Sequence, residues 1–274
     1  MLSAVAVVNL LAWGISAWVL RRRRRRFSAR GYARRCVLLW LSAGYVAGCA
    51  FRAWLPRIDL ERVCLLDSAL SSMVIGRSVA TVAELCFMAQ CALVLHHAAR
   101  VTDSRLALTV ALALVPFIVV AEGWSWYAIL STNYLGHVLE NSTWTLCALL
   151  LLASCAQLWR NSAQRERRFV LAMMVFASAY VVFMTSVDVP MYWSRWQADV
   201  AAGAGYLGLA DGLRDAARPC IVSFDWRIWR EEIPWMTLYF TVAVWVSIAL
   251  PHAPSWGRGR GGPLARDADS GRRE

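Results

Sequence analysis

The feature that most limits what this chain can fold into is a succession of long, nearly uncharged apolar runs. The first, residues 2–20 (LSAVAVVNLLAWGISAWVL), carries no charged side chain. As a helix rising about 1.5 Å per residue it covers about 30 Å, the thickness of a bilayer's hydrocarbon. Six more runs follow near 36–55, 68–95, 106–126, 135–159, 169–187 and 234–250. In lipid, every backbone N–H and C=O must be satisfied within the protein, and a single run achieves this as an α-helix. The expected fold is an all-α, polytopic bundle of seven transmembrane spans, one domain over residues 1–250, followed by a disordered tail over 251–274 that lacks periodicity. Composition agrees, with 59% hydrophobic and 17% charged residues, where a soluble domain carries roughly a quarter charged.

Charge predicts the orientation. All 29 basic residues are Arg; 20 fall in segments 21–35, 96–105, 160–168 and 251–274, against 7 in 55–67, 125–134 and 188–233. Seven spans place these sets on opposite faces, and excess Arg marks the cytoplasmic one. The N-terminus is therefore expected outside and the C-terminus inside a cell membrane, the inner membrane if the source is bacterial. The run Arg21–Arg26 directly follows the first span, and no charge precedes that span. This reads as a stop-transfer signal rather than a cleaved leader, and it is placed to attract anionic lipid head groups. The net charge of +11 does not point to nucleic acid, because the Arg residues sit between apolar runs. The absence of Lys excludes chemistry that needs an amine, including the Schiff base of seven-helix retinal pigments.

One connection stands out. Segment 188–233 is long for a protein of short loops, and its ends, DVPMYWSRW and SFDWRIWREEIPW, have the aromatic and basic character of interfacial anchors. It reads as a lid on the outer surface. Nine of the fifteen Trp, including Trp54, Trp124 and Trp193, fall on that same side, as an aromatic belt requires. Cys64 and Cys220 both lie outside the spans, where a disulfide would tie the lid to the third helix.

Polar residues inside the spans carry the functional expectation, since each is costly in hydrocarbon unless it faces the bundle interior and is paired. On the third span Arg77, Thr81 and Glu84 share a helical face. Arg77 and Glu84 stand two turns apart, about 10 Å along the axis, so each is expected to find its partner elsewhere. Glu122 closes the fourth span, and His137, Glu140 and Asn141 fall on one face of the fifth. Asp188 is expected at the outer end of the sixth. Arg77, Thr81, Glu84, Glu122, His137, Glu140, Asn141 and Asp188 together predict a ligand-binding polar pocket that opens outward.

Specific chemistries are constrained by what is missing. Of the four His, three are assigned to the inner side, so a three-His zinc site cannot be drawn, and no metal or cofactor is expected. No CxxC pair supports thiol redox chemistry. The leading expectation is a membrane protein that binds or translocates a small or lipid-like ligand in the outward pocket. One alternative is an enzyme acting on a lipid or lipid-linked substrate, with Glu140 or Glu122 as acid/base and His137 as partner. Another is a non-catalytic scaffold or assembly factor in which an Arg–carboxylate network pins helices together.

Overall fold

A computed structural model describes residues 2–256, and this region is nearly all helix. From residue 257 onward the 251–274 tail lies outside the described residues. Seven helices are long and apolar enough to cross a membrane: Leu2–Arg22, Ala29–Trp54, Met73–Thr102, Arg105–Ser131, Tyr134–Arg160, Glu166–Ala201 and Ile233–His252. The chain is thus a multi-pass membrane protein. Large apolar side chains stand exposed along these helices, among them Leu11, Val82 and Leu112, an arrangement that suits hydrocarbon and not water.

The first five spans are the helices α1 (Leu2–Arg22), α2 (Ala29–Trp54), α3 (Met73–Thr102), α4 (Arg105–Ser131) and α5 (Tyr134–Asn161). Their junctions are written locally. Ser28, Ser72, Ser104 and Asn133 each cap a helix N-terminus by accepting a backbone N–H. Asp103 and Thr132 end the preceding helices in the left-handed conformation, so α3–α4 and α4–α5 are joined by hairpins of two residues. Small residues let the helices approach closely: a Cβ added at Gly48 of α2 would stand 2.6 Å from the Ala83 Cβ of α3.

The sixth span extends beyond the run read from the sequence. The sequence ends it at Val187, before Asp188 and Pro190, but the helix continues. Helix α6 (Gln164–Phe183) passes through a widened π-turn, Met184–Asp188, into α7 (Val189–Ala201). Pro190 cannot donate a backbone hydrogen bond and crowds the preceding turn, and the widened turn absorbs this defect. The 36-residue helix Glu166–Ala201 reaches about 54 Å at 1.5 Å per residue, well past what hydrocarbon requires. The first part of the expected lid is therefore a helical extension of the span.

The rest of that connection is folded. Helix α8 (Leu209–Ala216) lies against α4, and a short helix α9 (Trp226–Trp229) buries Trp229. Between them the strand β3 (Ile221–Val222) pairs in parallel with β2 (Val63–Cys64), which pairs antiparallel with β1 (Arg57–Ile58) in register Arg57 to Cys64. Cys64 and Cys220 form a disulfide, with Cα atoms 5.8 Å apart. This sheet and its helices make one end of the bundle a capped end.

The seventh span comprises α10 (Ile233–Leu238), a second π-turn Tyr239–Ala243, and α11 (Val244–Ala249). The Phe240 carbonyl of that turn accepts from Asn9 Nδ2 of α1 at 2.6 Å. Lower down, Ser247 donates to Gln90 Oε1 and accepts from the Ser42 hydroxyl, while Gln90 Nε2 donates to the Leu38 carbonyl. Arg35 donates to the carbonyls of Pro251 and Ala253 and so closes the helix C-terminus. These bonds hold the seventh span on α1, α2 and α3. The sixth span packs instead on α5, leaving a lengthwise gap between the sixth and seventh spans.

Candidate functional site

The polar residues of α3, α4 and α5 meet in the half of the bundle nearest the cap. Arg77 is the hub, buried to 3% exposure. Its Nη2 reaches Glu122 Oε2 at 2.5 Å and Glu84 Oε2 at 3.3 Å, and its Nη1 lies 3.5 Å from Glu140 Oε1. Glu140 Oε2 is 2.7 Å from His137 Nδ1. Thr81 donates to Glu122 at 2.5 Å and accepts from Trp126 Nε1 at 3.2 Å. From the seventh span Tyr239 donates its hydroxyl to Glu84 Oε1 at 3.0 Å.

Two expectations are corrected here. Arg77 and Glu84 pair directly although two turns separate them, because the long arginine stem lies along the helix and carries the guanidinium across the gap. Asp188 does not end the sixth span. It sits in the π-turn within the helix and accepts from Asn141 Nδ2 at 2.6 Å. The sequence-predicted residues Arg77, Thr81, Glu84, Glu122, His137 and Glu140 share one network, and Asn141 with Asp188 forms a neighbouring link from α5 to the sixth span.

A cavity of about 560 Å³ runs beside this network between α3, α5, the sixth span and the seventh. Its end nearest the cap is polar, lined by Arg52, Arg57, Asp59, Glu61, Arg77, Glu84, His137, Glu140, Asp188 and Glu232, with Tyr45, Tyr134, Tyr192 and Tyr239 among them. The remainder is apolar and continues past Phe87, Leu95 and Leu151 to Leu158, Phe169 and Trp256 at the far end. Val175 and Phe176 of α6, facing Leu238 of α10 and Val242 of the adjoining turn, line the cavity and are also exposed. The cavity therefore opens sideways through the gap between the sixth and seventh spans.

Sequence reasoning missed the polar corner beside β1. Arg57 is buried, with 1% of its side chain exposed. Its Nε donates to Asp59 Oδ1 at 3.1 Å, and Arg52 Nη2 lies 3.6 Å from Asp59 Oδ2. Two arginines thus share one carboxylate. Arg57 Nη1 and Nη2 have no hydrogen-bond partner among the described residues. Burial pushes the guanidinium pKa down to about 10, which leaves it charged at neutral pH. It lies directly on the α3 backbone at Gly76, where an added Cβ would fall inside the guanidinium. The signal was present as Arg57-Ile58-Asp59, whose alternation puts both charges on one side of an extended strand, but no helical periodicity drew notice to it.

A fourth cation organises the mouth. Arg195 on α7 pairs with Glu61 at 3.3 Å, Glu231 at 2.9 Å and Glu232 at 3.0 Å, and lies over the Tyr134 and Tyr192 rings. These contacts tie the helical extension to both loops of the cap. His252 stands at the opposite end, bonded to Ser16 at 2.8 Å, far from the network. Among the described residues no group of three or more His, Cys, Asp or Glu is arranged to hold a metal ion.

In comparisons with known proteins, no family model, no curated protein and no solved structure matches the chain.

Proposed function

We propose that this protein binds a lipid-like amphiphile, for sensing or translocation, with its polar group at the capped end of the cavity and its apolar chain along the spans. The observation that carries the reading is the cavity's division into a polar end and a long apolar remainder, with a sideways opening lined by exposed Phe176, Leu238 and Val242. An apolar molecule enters such an opening from the bilayer without crossing water, and the polar residues then select among head groups. The Arg77 network serves as the floor of the polar end. We further propose that the capped end faces outward and the N-terminus is outside, supported by the 20-to-7 division of Arg. The exposed run Arg21–Arg26 then meets the anionic head groups of the cytoplasmic leaflet of a cell membrane.

A second reading rests on the His137–Glu140 pair. A carboxylate on Nδ1 fixes the imidazole and directs Nε2 as a base, the arrangement a lipid-modifying enzyme needs. Ala177→Trp, which fills the apolar part of the cavity, tests the binding reading. Protein purified into nanodiscs should yield a co-purifying lipid by mass spectrometry, and the variant should yield less. Equal lipid in the two would remove the cavity from the account.

A further inference from the structure

The polar end of the cavity is not electrically uniform. Arg77 is answered by Glu84, Glu122 and Glu140, and Arg195 by Glu61, Glu231 and Glu232. The corner at Arg52 and Arg57 has Asp59 alone and therefore carries one excess positive charge. Arg57 also holds both terminal nitrogens, with four N–H bonds between them, unpartnered while buried. A buried guanidinium with unanswered donors is costly unless something supplies acceptors. The fork of Nη1 and Nη2 is the geometry that two oxygens of one oxyanion satisfy.

We infer that Arg57, with Arg52 beside it, is a binding site for an oxyanion such as a phosphate, carried by a lipid head group or taken up free. This rests on the cavity reading above and adds the charge and shape of the group bound. Three features build the site. The strand pair β1–β2 and the Cys64–Cys220 disulfide fix the backbone of Arg57. Asp59 takes Nε and leaves Nη1 and Nη2 as the unpartnered fork. Gly76, by lacking a side chain, leaves the place the guanidinium occupies. Gly76 is therefore a positioning residue for Arg57, although it has no chemistry of its own.

The test is a titration of the purified full chain with two lipids that differ in one group, dioleoyl phosphatidic acid and dioleoylglycerol, read by native mass spectrometry. The wild type should prefer phosphatidic acid by about tenfold or more, as expected for a charge-assisted pair of hydrogen bonds. Arg57→Gln and Gly76→Ala should both reduce that preference and leave dioleoylglycerol binding unchanged. Lipid held on the Arg21–Arg26 run is common to all three proteins and cancels in the comparison. Gly76→Ala keeps every charge and displaces only the guanidinium, and Arg57→Lys keeps the charge and loses the fork, so either replaces Arg57→Gln if that variant does not fold. Competition by inorganic phosphate would support the oxyanion site and show that it takes the free ion; no competition, with the lipid preference intact, would support it as a head-group site only. Dioleoylglycerol and phosphatidic acid bound equally by the wild type, or a preference unaltered in the variants, would overturn the oxyanion site and leave the cavity reading standing. Failure of both lipids to bind would overturn the cavity reading and this inference together.

Discussion

Arg77 and Arg57 are both buried arginines facing the same cavity, one on the third span and the other on a short strand of the cap. Arg77 has three carboxylates, drawn from α3, α4 and α5. Arg57 has a share of one, and its two terminal nitrogens are buried without a hydrogen-bond partner. The same side chain thus plays two parts, decided by how many elements supply acceptors. A cation answered from three helices fixes their relative positions and has little left to offer a ligand. A cation answered from the turn beside it fixes little and retains its binding capacity. Of the residues that sequence reasoning assigned to the ligand pocket, Arg77 is the cation that already has three carboxylate partners.

Replacing each arginine by Met separates the two roles by the largest effect. Arg77→Met strands three buried carboxylates without a cation, and removing one partner of a buried network costs about 3–5 kcal/mol. The variant should melt far below wild type in detergent, or fail to fold. Arg57→Met removes a charge that was mostly unanswered and substitutes apolar volume, so its melting point should stay within about 1 kcal/mol equivalent of wild type, or rise. Reversal of that order would mean that Arg57 holds the fold and Arg77 does not.

A smaller effect separates the cap from the spans. The Cys64–Cys220 disulfide links β2 to the residue before β3, across 156 positions of sequence. Losing a disulfide costs about 2–4 kcal/mol in typical cases. Cys64→Ser with Cys220→Ser should therefore lower the melting temperature less than Arg77→Met does. It should also weaken the preference for phosphatidic acid, because β1 and Arg57 depend on this sheet for their place. A double variant that melts lower yet keeps the full preference would show that Gly76 and Asp59 alone position the guanidinium.

The contrast also explains what the sequence could and could not reveal. Hydropathy marks the seven spans because lipid leaves an isolated apolar run one form to take, and helical spacing places Arg77, Thr81 and Glu84 on one face. Glu122, His137 and Glu140 were readable for the same reason, since a polar group within an apolar helix stands out against its neighbours. Two kinds of information were not local. Helical spacing gave the distance between Arg77 and Glu84 backbones, not the reach of a long side chain. Arg57 lies in a connection where charge is unremarkable, and its burial follows from a strand pairing, a distant Cys and a missing Cβ at Gly76. The continuation of the sixth helix past Pro190 was hidden because proline ordinarily ends a helix, and only the π-turn at Met184–Asp188 makes room for it.

The smallest expected effect concerns the carboxylate that Arg57 shares. Burial by itself would raise the Asp59 carboxyl, but Arg52 and Arg57 outweigh it and hold it below the usual carboxylate range. A carboxyl depressed in the folded state contributes stability that is full above its unfolded value, near pH 4, and is lost as pH falls through the folded value. Glu61, two residues on, has the opposite sign: burial holds its carboxyl above the usual range despite Tyr134 and Arg195. Its contribution is full below about pH 4 and fades as pH rises through the folded value. Melting temperature followed between about pH 2 and pH 6 should therefore fall less steeply at the acid end in Asp59→Asn than in wild type, and fall less on the rising side in Glu61→Gln. Arg57→Met should move the Asp59 limb toward higher pH, because it removes one of the nearest cations that hold that carboxyl down. An acid limb unmoved by Arg57→Met would mean that Arg52 alone answers Asp59, and that the corner's charge is not shared as the two distances imply.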